Sequence, residues 1–397
     1  MIEDVRPVLV YDRIQTNRRD TLLLLGAFAL IMAPAAFYVN EFLTAYYAFG
    51  RVLSGSAGVD PDPAELNRVI RQGRLLGSAV MLGVLIAAAW LQYRTGDRLA
   101  LKLAGAKRLP AGAEPELRRT VESLSIAAGL PEPALYWIDS PSANAFSVGR
   151  DPDHASVAIS RGAVRLLDRP ELEGVLAYEF AQIGNYDTRL NTVLGSIVWT
   201  LALPLRLTIG VFRRLYGVHP VVGVGCALWL LAPLLILLPI GFELVIEMAR
   251  DDLGAALGFG LLLLLPFYSY VVTPLAGVLI RSSVASERIL QADSEAVLLA
   301  GNPAALARAL EKMRAAGSEP LFNPAWTQLM FLDPRGEATS GWSQFFRAHP
   351  EIDERVAVLA GMDTSISETM LRRARQDGDE FRRAQVDRVD AESSEAG

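Results

Sequence analysis

The hexapeptide Ala177-Tyr178-Glu179-Phe180-Ala181-Gln182 has the spacing of a metallopeptidase helix without the side chains that bind the metal. In a His-Glu-x-x-His helix, positions i and i+4 stand one turn apart on the same face. Two imidazoles there can hold one Zn²⁺ while the intervening Glu acts as general base on the bound water. Here the two ligand positions carry Tyr178 and Gln182, and only Glu179, the base position, keeps its type. The chain has 3 histidines, His154, His219 and His349, and none falls in this stretch. Alone, so degenerate a motif assigns no chemistry. Its surroundings decide how to read it.

Upstream lies Pro141-Ser142-Ala143-Asn144-Ala145-Phe146-Ser147-Val148-Gly149, followed by Ala155 to Ser160 and the lead-in Glu171 to Ala177. Downstream come Ile183-Gly184-Asn185-Tyr186-Asp187, then Gln291-Ala292-Asp293, Gly301-Asn302-Pro303, and finally His349-Pro350 with Glu354-Arg355-Val356. In this order the pieces, spread over residues 115 to 362, resemble the membrane-integral zinc endopeptidase family of the heat-shock protease HtpX and the CAAX prenyl protease. The resemblance implies a gluzincin-like peptidase domain. It also implies a peptide-binding edge strand at Asn144, Ala145, Phe146 and Ser147, and cleft support from Asp187, Asp293, His349 and Arg355.

The departures from that family fall on its metal site. The resemblance puts a third ligand, a Glu, four residues before Asp293, where this chain has Ile289. Glu287 is two residues away, and two residues on a helix turn a side chain by about 200°, onto another face. With Tyr178, Gln182 and Ile289 at the three ligand positions, zinc is expected to be absent and Glu179 to be a vestige of the general base. Tyr178 and Gln182 then suit a hydrogen-bonded pair filling the vacated pocket. Glu179 suits a structural hydrogen bond, and Asp187 and Asp293 suit helix capping or pairing with an arginine. A lone His349 suits a structural role.

Composition sets the wider class. Hydrophobic residues make up 51% and charged residues 21% of 397, a balance too apolar for an ordinary soluble protein, and the apolar excess is blocky. A net charge of −6 without a basic cluster excludes nucleic acid as a partner. A single cysteine, Cys226, excludes an intrachain disulfide. Apolar runs at Thr21–Val39 and Leu76–Tyr93 each approach the ~20 residues that a spanning helix needs. Arg13, Arg18 and Arg19 before the first, and Arg94, Arg98 and Lys102 after the second, put both flanks on the cytoplasmic side. Further apolar stretches at Asn191–Phe212, Val221–Glu247 and Gly254–Ile280 bring the total to roughly four or five crossings. The expected organisation is a cytoplasmic N-terminus (1–20), two spans with an outward loop (21–93) and a first half-domain (94–190). A re-entrant or interfacial segment plus two spans (191–280), a second half-domain (281–371) and a charged tail (372–397) follow.

Local signals place the elements around the motif. Asp168-x-x-Glu171 is a capping box with Pro170 in the first turn. Leu172, Leu176, Phe180 and Ile183 keep helical spacing, which predicts an amphipathic helix over Glu171–Asp187. Ala134–Ile138, Ala145–Val148 and Val157–Ile159 read as short strands, the last two joined by a turn at Arg150–Asp153. Leu117–Ala128 and Pro303–Ala315 read as helices, and the tail from Arg372 as solvated helix or disorder. The fold class is therefore α+β, mainly helical: a polytopic membrane protein whose gluzincin-like domain carries a small β-sheet. Three readings fit: a catalytically inactive adaptor, regulator or assembly subunit that binds a membrane or cytoplasmic protein, an active membrane metalloendopeptidase with atypical ligands, or a structural membrane protein whose old cleft is filled by side chains. Its place would be the bilayer of a bacterial inner membrane, with the domain facing the cytoplasm.

Overall fold

A computed structural model describes residues 19–23, 25–27, 63–201, 214, 286–317, 329–332 and 349–395. The apolar stretches expected at Val221–Glu247 and Gly254–Ile280, with Cys226, lie outside the described residues, as do most of Thr21–Val39 and the end of Asn191–Phe212. The described elements begin with α1 (Pro63–Leu103) and β1 (Lys107–Arg108), followed by α2 (Pro115–Ala128), β2 (Ala134–Ile138), β3 (Ala145–Gly149) and β4 (Ala155–Ser160). Next come α3 (Arg161–Leu166), α4 (Arg169–Gly184) and α5 (Asp187–Leu201), then α6 (Ser286–Ala300), α7 (Pro303–Ala316), α8 (Ile352–Met362) and α9 (Glu368–Glu395). The fold is mainly helical α+β.

The chain divides into two compact units, one of residues 1–24, 92–199 and 278–397, the other of 25–91 and 200–277. In the second unit the described chain is chiefly the first part of α1. Among the described residues one helix, Leu76–Leu103, is long and apolar enough to cross a membrane. Leu76, Leu82 and Ile86 are exposed on it, an arrangement suited to lipid.

The first unit holds the sheet, in the order β1-β2-β4-β3. It is mixed: β2 runs parallel to β4, and β3 runs antiparallel to β4 with Ala145 opposite Ile159 and Gly149 opposite Ala155. A short 3₁₀ turn at Pro152–His154 closes the expected hairpin. All five residues of β3 are buried. α4 lies under it as the central helix, started by the capping box: Glu171 N donates to Asp168 Oδ1 at 2.9 Å and Asp168 N to Glu171 Oε2 at 3.0 Å. The expected amphipathic stripe is wider than its spacing suggested. Every residue from Leu172 to Ile183 except Glu173 is buried, because β3, α2, α6 and α7 pack around α4. Gly174 permits a close approach of α7, since a Cβ there would stand 3.3 Å from Leu306 Cα.

The predicted helix through Asp187 stops at Gly184. Asn185 and Tyr186 break it, Tyr186 at φ 61, and α5 starts afresh at Asp187. Glu179 and Asp187 therefore stand on different helices. The tail is helical through Glu395 and is docked, with Leu371 and Ala374 buried against the domain.

Candidate functional site

The centre of the site is the face of α4 that carries Tyr178, Glu179 and Gln182, all three at most 2% exposed. Gln182 Nε2 donates to Tyr178 Oη at 2.6 Å, the i,i+4 pair that the spacing suggested. Burial pushes the Tyr178 phenol far above its ordinary value, so it stays protonated. The ring meets Phe331 edge-on, with centroids 5.0 Å apart and planes at 83°. That geometry sets the positive ring edge against the negative face.

Arg355 is the largest fully buried side chain among the described residues. It donates from Nε to Asp293 Oδ2 at 2.8 Å, from Nη2 to Asp293 Oδ1 at 2.7 Å, and from Nη1 to Phe331 O at 2.7 Å. Its guanidinium carbon also lies 5.1 Å from the Tyr178 ring centroid and 4.6 Å from that of Phe331. Burial works against its charge, but the Asp293 carboxylate outweighs burial, and the guanidinium titrates above its ordinary value. Asp293 thus has the arginine partner that the sequence suggested. Asp187 pairs with Arg288 at 3.3 Å, and Arg288 reaches on to Asp20 at 2.6 Å.

Glu179 departs from the expected structural hydrogen bond. It is fully buried, and neither carboxylate oxygen has a hydrogen-bond partner among the described residues. Burial pushes its pKa up to about 8, although the Ser147 hydroxyl and amide and the Arg355 charge pull it down. Ser147 is near enough to act on the carboxyl, yet its Oγ has no bond of good geometry either, and Gln182 Oε1 shares that condition. Three buried polar side chains on facing elements α4 and β3 thus keep unpaired oxygens.

The strand residues Asn144, Ala145, Phe146 and Ser147 are all fully buried. β3 ends the sheet, but its outer side is not bare, because a segment that the motifs do not single out, Leu329–Leu332, runs along it. Phe146 bridges Met330 antiparallel, and Phe331 N donates to Ala145 O at 2.8 Å. Asn144 Nδ2 donates to Leu332 O at 2.9 Å and Asn144 Oδ1 accepts from Leu332 N at 3.2 Å. His349 Nε2 bonds Met330 O at 2.7 Å, so that nitrogen carries the proton. The one sequence signal for this segment is an apolar run of four between Pro324 and Pro334, the pattern of a short buried strand.

Comparison with known proteins gives this site a context. The model of peptidase family M48 matches residues 111–363. A protease HtpX homolog of Tropheryma whipplei is 32% identical over 293 residues, covering 73% of this chain and 88% of the relative. One of Nostoc sp. is 30% identical over 293 residues, covering 73% and 89%, and one of Dictyoglomus turgidum is 26% identical over 360 residues, covering 90% and 96%. No solved structure matches the chain.

These matches correct one expectation. Zinc was expected to be absent, but family M48 and relatives named proteases make zinc the expected cofactor. The described side chains do not by themselves fit the ion. A protonated phenol, a carboxamide and the 5% exposed alkyl chain of Ile289 stand at the three ligand positions. Among the described residues no three of His, Cys, Asp or Glu gather to hold a metal. Structural and catalytic zinc sites draw on such nitrogen, sulfur and carboxylate donors.

Proposed function

The chain belongs to peptidase family M48, and from that premise we propose that it is a membrane-anchored polypeptide-binding protein whose cleft holds extended segments without cutting them. It acts as an adaptor, regulator or assembly subunit for another membrane or cytoplasmic protein. The observation that carries this reading is the Tyr178–Gln182 hydrogen bond, in which the two ligand positions of the motif satisfy each other at 2.6 Å. A multi-pass anchor with the domain in the cytoplasm is the topology that the apolar runs and the flanking Arg94, Arg98 and Lys102 favour. The test uses the full chain in detergent, with equimolar zinc and unfolded casein. Casein is expected to bind and to stay intact over hours.

A second reading, an active metalloendopeptidase with atypical donors, is favoured by Glu179. A carboxyl group with a pKa of about 8 and no partner at either oxygen among the described residues is poised to exchange a proton near neutrality. Casein cleavage by the wild type that disappears in Glu179→Gln would establish this reading and overturn the first.

A further inference from the structure

Resting on the reading that β3 receives polypeptide, we infer that Leu329–Leu332 is an internal occupant of that groove, and that the clients are extended apolar segments with an aromatic side chain where Phe331 now lies. The segment is held as a ligand is held. It meets β3 at an isolated bridge between Phe146 and Met330, beside which Phe331 N donates to Ala145 O. Side chains add to its grip. Asn144 takes both the N–H and the C=O of Leu332, His349 takes Met330 O, and Arg355 takes Phe331 O. These groups read only main chain, so they serve any extended segment laid antiparallel to β3, the geometry of strand addition.

Selectivity comes from one place. The Phe331 ring stands edge-on to Tyr178 at 5.0 Å and under the Arg355 guanidinium at 4.6 Å, a pocket built of one aromatic ring and one delocalised cation. Tyr178 occupies the first ligand position of the degenerate motif, so the residue that departs from metal binding becomes the wall of an aromatic pocket. Leu329, Met330 and Leu332 are buried alongside, which makes the remaining side-chain positions apolar. A client enters as Leu329–Leu332 leaves.

Hydrogen exchange on the full chain in detergent tests this, with the capped peptide Gln-Leu-Met-Phe-Leu-Asp as probe. The Phe331 amide is expected to exchange at least about tenfold faster than the β4 amides, because the segment opens without unfolding the sheet. The peptide is expected to bind, to speed Phe331 exchange further by displacing the segment, and to lose about tenfold in affinity when its Phe is replaced by Ala. Equal protection of Phe331 and β4, unchanged by peptide, would mean a permanent core strand and would overturn the inference. If the Ala peptide binds as well as the Phe peptide and Phe331 protection does not move, the inference falls while polypeptide binding stands. If neither peptide nor unfolded casein binds, both fall together.

Discussion

Arg355 and Asp293 form a two-bond ion pair, at 2.7 and 2.8 Å, with the arginine 1% and the aspartate 0% exposed. They sit on α8 and α6 and tie both helices to Leu329–Leu332 through Arg355 Nη1. A buried pair of this kind need not be worth more than an apolar one, but breaking it leaves an uncompensated charge in the core. Arg355→Met should therefore lower stability by about 3–5 kcal/mol, and adding Asp293→Leu should recover most of that loss. Urea unfolding followed by tryptophan fluorescence measures both. A single variant within about 1 kcal/mol of wild type would show that water reaches the pair.

The unpaired carboxyl of Glu179 predicts a pH dependence of definite sign. Its folded-state pKa is raised from 4.5 to about 8, so between those values the folded chain binds a proton that the unfolded chain has released. Stability from this group is full below the unfolded value and falls as pH rises toward 8, by on the order of 4–5 kcal/mol. Glu179→Gln, which carries no titrating proton, should be clearly more stable than wild type at pH 8 and close to it at pH 5. Melting temperatures at the two pH values decide it, and equal gains at both would mean that Glu179 is ionised in the fold.

Much of this was legible in the sequence because it is local. The Asp168–Glu171 capping box, the β3–β4 hairpin and the Tyr178–Gln182 pair depend on residues three to fourteen apart, and all are present. What escaped depends on distant packing. The buried circumference of α4 is set by α6 and α7, over a hundred residues away, which no periodicity within α4 can report. The break does carry a stop signal, Gly184 followed by Asn185, but the left-handed conformation falls on Tyr186, a residue type that gives no sign of it. Leu329–Leu332 was too short to identify as an element without seeing Asn144, His349 and Arg355 converge on its backbone.

Two glycines give opposite predictions for the same substitution. Gly378 lies where α9 crosses α7, and a Cβ there would meet Lys312 O at 2.3 Å and Ala315 Cβ at 2.8 Å. The first contact is backbone, so a helix must move. Gly378→Ala should cost about 1–3 kcal/mol, the usual penalty of overpacking. Gly361, in α8, has no atom of the described residues within 4 Å of where a methyl would stand, so Gly361→Ala should gain about 0.5 kcal/mol from helix propensity alone. Thermal unfolding of the two variants side by side gives the signs, and a stable Gly378→Ala would mean that α9 is not docked on α7 in solution.

Rebuilding the ligand set tests the register assigned to the motif. Tyr178 and Gln182 are one turn apart on α4, and α6, which carries Ile289, packs along α4. Tyr178→His, Gln182→His and Ile289→Glu together place two imidazoles and a carboxylate at the three positions, the donor set of a catalytic zinc site. The triple variant should bind zinc at least about tenfold more tightly than the parent in competition with a chromogenic chelator, and Ile289→Glu alone should not. The parent has to be titrated beside it, since family membership makes zinc its expected cofactor. Equal affinity in the two proteins would mean that the parent already holds the ion through other donors, which would favour the active-peptidase reading over the polypeptide-binding one.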